Sequence, residues 1–259
     1  MDNVLDFSGK VVIVTGGVRG VGRGITRRYL EAGADVVTCD IKAPETLPKA
    51  GAKEALYIDA DVRNVEEIDK VVKLATDRLG RLDVLVNNAG GAPPADAATA
   101  SPRFSEAIIR LNLIAPLNFA QRANRVMQEQ EEGGCIINIA SVSAVRPSPG
   151  TAAYGAAKAG VLSLTTSLAV EWAPKVRVNA VTAGMILTEQ AHLHYGDEKG
   201  VAAVAATVPL GRLAVPEDVG DVCLFLASPL ARYITGAAIL LHGGGERPAF
   251  MAAAQKAKD

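Results

Sequence analysis

The sequence predicts an α/β fold: a doubly wound, mostly parallel seven-stranded sheet with helices on both faces. Three observations predict it. Short β-branched runs alternate with stretches of helical period along the chain. Most of those runs are apolar at nearly every position, the mark of strands buried on both faces. A glycine-rich turn follows the first run and opens the first helical stretch, so a strand–turn–helix unit starts the chain.

The strands are read at KVVIVTG from Lys10, ADVVTCD from Ala34, EALYIDA from Glu54, LDVLVNN from Leu82, CIINIAS from Cys135, VRVNAVT from Val176 and GAAILLH from Gly236. Helical stretches lie between them at Gly20 to Gly33, Val65 to Gly80, Pro102 to Glu132, Ala152 to Trp172 and Pro216 to Ala227. No linker, low-complexity tract or fixed-period repeat divides residues 1–259, which are read as a single domain. Residues 245–259, with ERPAFMAAAQKAKD, follow the last strand as a loose or partner-docked tail.

Composition excludes several classes. A formal net charge of −1 gives no basic face for nucleic acid or a membrane surface. The start, MDNVLDFSGK, lacks the basic and apolar regions of a secretory signal, and no apolar run is long enough to span a membrane. Cys39, Cys135 and Cys223 stand far apart in apolar runs, as buried, reduced thiols of a cytoplasmic protein do. No metal-ligand spacing occurs, and no metal is expected.

The first strand runs into TGGVRGVG, in which Gly16, Gly20 and Gly22 flank Arg19 and Val21. Glycine permits a tight turn and lets backbone N–H groups approach a pyrophosphate, while the helix N-terminus adds partial positive charge. A plain glycine-rich turn has the same pattern, but the strand–helix context favours a Rossmann-type dinucleotide site. Asp40 ends the second strand eighteen positions after Gly22, where such a fold expects an acid on the adenosine ribose. A carboxylate there repels a 2′-phosphate and favours NAD over NADP. Arg19 is the contrary sign, because a guanidinium in the glycine loop could pair with that phosphate. Asp61 and Val62 after the third strand are placed to meet the adenine. In NNAG, Asn87 to Gly90, Asn87 is read as a brace within the sheet, and Asn88, Ala89 and Gly90 as cofactor lining.

The fourth helical stretch holds RLNLIAPLNF. Pro116 has no N–H for the carbonyl of Asn112, four residues earlier, so that carbonyl is expected to lose its helical partner. A kinked packing helix is the plainer alternative. In SVSAVRPSPGTAAYGAAK, Tyr154 and Lys158 stand four apart and share a helix face. A phenol with a reference pKa of about 10 is a poor base alone, and a nearby ammonium lowers that pKa. The pair suits acid–base work on an alcohol or ketone, with Ser141 steadying the substrate oxygen. On its own the pair is ordinary surface chemistry; the glycine loop, Asp40 and Asn112 in this order make it a site.

These residues resemble the short-chain dehydrogenase/reductases in their single-domain form, from about Val11 to Gly245. The resemblance implies that TGGVRGVG binds pyrophosphate and that Asn112, Ser141, Tyr154 and Lys158 form the catalytic tetrad. It implies that Lys158 also bonds the nicotinamide ribose and that the Asn112 carbonyl holds a relay water. Ser143 is a rival hydroxyl; Ser141 matches the family's thirteen-residue spacing to the tyrosine. Ile186 and Thr188 match positions at the nicotinamide end. One position departs: the family usually has Pro-Gly after its sixth strand, and this chain has Ala183-Gly184.

The expected activity is hydride transfer between a nicotinamide cofactor, NAD favoured, and a secondary alcohol or ketone. The apolar residues of Met185 to Leu213, read as a mobile lid with His192, His194 and Tyr195, suggest a hydrophobic substrate such as a steroid or hydroxyacyl thioester. Either histidine could touch substrate, and an exposed loop position is the plainer reading. The alternatives are an NADPH-dependent 3-oxoacyl-thioester reductase, a non-catalytic nicotinamide-binding sensor and a structural subunit of a larger assembly. The resemblance implies a homotetramer, with Ala156, Ala157, Ala159 and Gly160 permitting close helix packing.

Overall fold

The run from Val11 to Thr15 forms β1 with every residue buried. Val11 and Ile13 pack into one core and Val12 and Val14 into another, as the two-residue period of a strand requires. A computed structural model, which describes residues 4–246 together with Pro248, Phe250 and Met251, repeats this pattern across one sheet. Most of the C-terminal tail lies outside the described residues.

From β1 the chain continues through α1 (Gly20–Glu31), β2 (Asp35–Asp40), β3 (Lys49–Ala50), β4 (Lys53–Glu54), β5 (Leu56–Asp59), α2 (Val65–Leu79) and β6 (Val84–Asn87). It then runs through α3 (Pro102–Ile109), α4 (Ala115–Glu129), β7 (Gly134–Ser141), α5 (Ala152–Trp172) and β8 (Val176–Ala183). The last elements are α6 (His192–Tyr195), α7 (Glu198–Ala205), α8 (Pro216–Ala227) and β9 (Ala238–Leu241).

The seven-stranded sheet has the order β5-β2-β1-β6-β7-β8-β9, and each neighbouring pair is parallel. The chain moves outward from β1 to β5 and then returns to the other side of β1 as β6. That reversal opens a crevice beyond the C-terminal ends of β1 and β6, where ligands of such sheets bind. The expected third strand is shorter than read, Leu56–Asp59, and β3 and β4 form a separate antiparallel hairpin before it. Two-residue strands are too short for a hydrophobic period to reveal.

Each face of the sheet carries its own core. Ile68, Val71 and Ala75 of α2, Phe119, Ala123 and Met127 of α4, and Leu168 of α5 cover one face. Ile25, Tyr29 and Leu30 of α1 and Val219, Cys223 and Leu226 of α8 cover the other. The three cysteines are free and buried, and burial pushes the Cys39 thiol up to about 12.

The long helix expected over 102–132 is three pieces. Ser101 caps α3 by accepting the Phe104 N–H at 3.2 Å, with Pro102 in the first turn. Residues Arg110–Ile114 then widen into a π-helical turn, and α4 restarts with Pro116 in its first turn. The missing N–H of Pro116 accounts for the break, because the regular ladder cannot pass it.

Candidate active site

β1 ends in Thr15, and the chain turns at once through Gly16, which has a φ of +62°. A Cβ on Gly22 would lie 2.1 Å from the Gly16 carbonyl oxygen, so only glycine lets the helix start this close to the turn. The turn is tied to the end of β6. Asn88 Nδ2 donates to the Thr15 carbonyl at 2.9 Å, and Thr15 Oγ1 accepts the N–H groups of Asn88 and Ala89 at 2.9 and 3.0 Å. Asn87 instead braces the sheet: its amide donates to Asn138 Oδ1 at 2.9 Å and to the Pro116 carbonyl at 3.1 Å.

At the end of β2, Asp40 faces the glycine loop. Its Oδ2 lies 3.2 Å from Arg19 Nε, and Arg19 also donates to the Lys42 carbonyl at 2.7 Å. The two residues that pull in opposite directions on cofactor choice are therefore partners of one another. Asp61 and Val62 line the same cavity beside Arg63. Arg63 grips the Asp61 carboxylate at 2.9 and 2.7 Å and holds its pKa below the usual carboxylate range.

On the other side of the crevice, Ser141 ends β7, and Tyr154 and Lys158 come from the first turns of α5. Ser141 Oγ accepts the Ser143 N–H at 3.2 Å, which leaves its proton free to donate to the Tyr154 hydroxyl. Ser143 thus orients Ser141; its own Oγ accepts from Ser148 at 3.1 Å. Lys158 is buried, donates to the Ile139 carbonyl at 2.7 Å and stands 5.7 Å from the centre of the Tyr154 ring. Burial depresses its pKa to about 8. Tyr154 differs from the simple expectation of a lowered pKa. Burial raises it, and the Ser141 hydrogen bond is the opposing influence.

Asn112 lies in the π-helical turn and is fully buried. Its side chain clasps Gly91, accepting that N–H at 2.8 Å and donating to that carbonyl at 2.9 Å, and it donates to the Ile108 carbonyl at 2.9 Å. A Cβ on Gly90 would meet Asn112 Oδ1 at 2.6 Å and Lys158 Nζ at 3.4 Å. The last glycine of NNAG is what lets this loop lie against both residues.

A cavity of about 600 Å³ joins these parts. Its lining includes Gly16, Arg19, Gly20, Val21, Gly22, Asp40, Asp61, Val62, Asn88, Ala89 and Gly90 at one end, and Ser141, Tyr154, Lys158, Ile186 and Thr188 at the other. Asn112 stands behind that wall, acting on it through Gly91. Ala183, the position where the resemblance led to an expectation of proline, is the last residue of β8 and pairs with both Ser141 and Leu241. Beyond it, the Leu187 N–H donates to the Ala214 carbonyl at 2.8 Å, which ties the start of the 185–213 segment to the residue that follows it. Of the lid residues singled out, His194 and Tyr195 line the cavity and His192 does not.

Several participants carry no signal that side-chain type alone reveals. Ile139 acts through its carbonyl, and Thr15 reads as a strand end. Arg63 reads as a solvated charge, and Glu189 reads as one lid residue among many.

The residues fit a dinucleotide. The glycine turn presents backbone donors, Asp40 stands at one end, and the Tyr154–Lys158 pair stands at the other. A family model described as enoyl-(acyl carrier protein) reductase matches residues 16–246. The chain is 36% identical over 244 residues to the 3-oxoacyl-[acyl-carrier-protein] reductase FabG of Thermotoga maritima, covering 92% of this chain and 98% of that protein. It is 35% identical over 256 residues to the short-chain type dehydrogenase/reductase y4vI of Sinorhizobium fredii, covering 94% of this chain but spanning only 45% of that longer protein. Its backbone matches that of the Thermoplasma acidophilum aldohexose dehydrogenase with a TM-score of 0.85 at 31% identity, over 92% of this chain and 94% of that one. The chain belongs to the short-chain dehydrogenase/reductase family, the nicotinamide-dependent oxidoreductases that act on CH–OH groups.

Proposed function

We propose that this protein transfers hydride between NAD and a secondary alcohol or ketone, with Tyr154 as the acid–base group. The observation that carries this reading is one cavity bounded by both the glycine loop with Asp40 and the Ser141–Tyr154–Lys158 cluster. A nicotinamide cofactor held there would supply the hydride chemistry. In the oxidising direction Tyr154 takes the hydroxyl proton at its phenolic oxygen, and in the reducing direction it returns one. With substrate present, Ser141 turns its one hydroxyl proton from Tyr154 to the substrate oxygen while its Oγ still accepts the Ser143 N–H. Lys158, 5.7 Å from the centre of the Tyr154 ring, is proposed to offset part of the burial that raises the Tyr154 pKa, and Asn112 holds the Gly91 wall behind them.

NAD is favoured because Asp40 already engages Arg19. A 2′-phosphate would have to displace a carboxylate from the one guanidinium of the glycine loop and would be left beside that carboxylate. The second reading, an NADPH-dependent 3-oxoacyl-thioester reductase, draws on Arg19 itself and on the likeness to FabG. Side-by-side titration with NADH and NADPH separates them. Tighter NADH by about tenfold, or 1.4 kcal/mol, supports Asp40 as selector. Tighter NADPH would mean that Arg19 leaves Asp40 for the phosphate.

The substrate proposed is hydrophobic, a steroid or a hydroxyacyl thioester. Support comes from the lid region, where Leu187, Leu193 and Leu210 are exposed apolar residues. The protein is proposed to work as a cytoplasmic homotetramer. Exposed Val170 on α5, exposed Leu240 on the edge strand β9 and fully exposed Tyr233 are apolar surface that a second copy would cover. Of the small residues on α5, Ala156 and Ala159 are exposed, whereas Ala157 is buried and Gly160 packs against Leu113 of its own chain. Among the described residues, no helix is long and apolar enough to cross a membrane.

A further inference from the structure

Helix α1 begins without a cap of its own. Its N-cap residue, Arg19, makes no side-chain cap bond, and its first turn holds no acid. By contrast, α2 and α7 are capped by Asn64 and Asp197. The carboxylate at the start of α1 comes from 169 residues away: Glu189 Oε1 accepts the Gly20 N–H at 2.9 Å. Glu189 follows Thr188 at the stem of the lid, and its carbonyl lies 3.2 Å from His192 Nδ1. A Cβ on Gly20 would find Thr188 Cγ2 at 3.8 Å and Glu189 Oε1 at 4.0 Å, so the lid stem rests on the glycine turn.

Anions are stabilised at a helix N-terminus by its unpaired N–H groups and its partial charge, and a charged acceptor strengthens the bond. A cofactor pyrophosphate would use the same donors. It and the Glu189 carboxylate cannot both hold the Gly20 N–H, and two anions at that range repel. We infer that Glu189 is an internal stand-in for the pyrophosphate. It holds the lid stem on the glycine turn, and a seated dinucleotide displaces it, so the lid's position and cofactor affinity are coupled through one side chain. This rests on the nicotinamide reading of the groove and adds to it the residue that links groove and lid. Affinity is then reduced by the fraction of molecules in which Glu189 has released Gly20.

The test compares the wild-type protein with Glu189→Ala and Glu189→Gln, using NADH, NADPH, ADP and adenosine as probes in calorimetric titrations. Glu189→Ala is expected to bind NADH and ADP about fivefold or more tightly and adenosine unchanged, because only the first two carry the competing phosphates. Glu189→Gln, which keeps an acceptor without charge, is expected to fall between. Without nucleotide, trypsin is expected to cut after Lys199 in the lid faster in Glu189→Ala than in the wild type. If the wild type binds NADH and Glu189→Ala binds NADH and ADP no more tightly, the role of Glu189 is overturned while the cofactor reading stands. An equal gain for adenosine also overturns it. If neither protein binds NADH or NADPH, the cofactor reading fails and this inference falls with it.

Discussion

Lys158, proposed above as a partner of Tyr154, sits where its charge costs stability. Its ammonium is buried against the Ile139 carbonyl, and desolvation brings its pKa to about 8 from an ordinary value of 10.5. Below pH 8 both folded and unfolded chains hold this proton, and folding bears the full cost of burying the charge. Between 8 and 10.5 the unfolded chain holds more protons than the folded one, so this group's contribution to stability rises with pH. Lys158→Met is therefore expected to raise thermal stability at pH 7, by on the order of 3 kcal/mol, while abolishing turnover. The advantage is expected to shrink as pH rises from 8 toward 10.5. Thermal unfolding of both proteins across that range checks it, and a difference that does not change with pH would show that Lys158 pays no burial cost. The position of Lys158 was legible in the sequence, from its four-residue spacing to Tyr154. Its carbonyl partner was not, because any residue type at position 139 supplies the same atom.

At the scale of the element, the break in the helix after β6 is the instructive case. Pro116 predicted the loss of a helical hydrogen bond at Asn112, and the structure answers with a π-helical turn over Arg110–Ile114. That turn places the Asn112 side chain on Gly91, whose loop forms the wall beside Lys158. Pro116→Ala restores the donor and is expected to let α3 and α4 join as one regular helix. The expected result is equal or higher thermal stability with a roughly tenfold to hundredfold lower kcat, since misplacing a supporting residue by about an ångström has effects of that size. Unchanged kcat with a regular helix would show that the widened turn is packing alone. Helix and strand positions were largely legible because buried strands and amphipathic helices differ in period. The β3–β4 hairpin and the split of the fourth helix were not, since the first is too short to have a period and the second keeps the helical period across the break.

For the whole molecule, the parallel sheet follows from the regular β-α-β alternation, whereas its strand order, and with it the crevice at the β1–β6 reversal, is read from the structure. What the sequence could not show is which groups meet: Arg19 with Asp40, Arg63 with Asp61, and Glu189 with the Gly20 N–H. Arg19 and Asp40 were legible as rivals and proved to be a pair. The exposed apolar positions Val170, Tyr233 and Leu240 lead to an expected solution mass, by light scattering, of four chains; a monomer at micromolar concentration would contradict the assembly proposed here. The most direct test of the account is Tyr154→Phe, assayed for turnover and for NADH binding on the same preparation. The account predicts turnover lower by about a hundredfold to ten-thousandfold, the range of acid–base catalysis, with NADH affinity within about twofold of the wild type. Turnover retained in Tyr154→Phe would contradict it, because the proton would then be moving through another group.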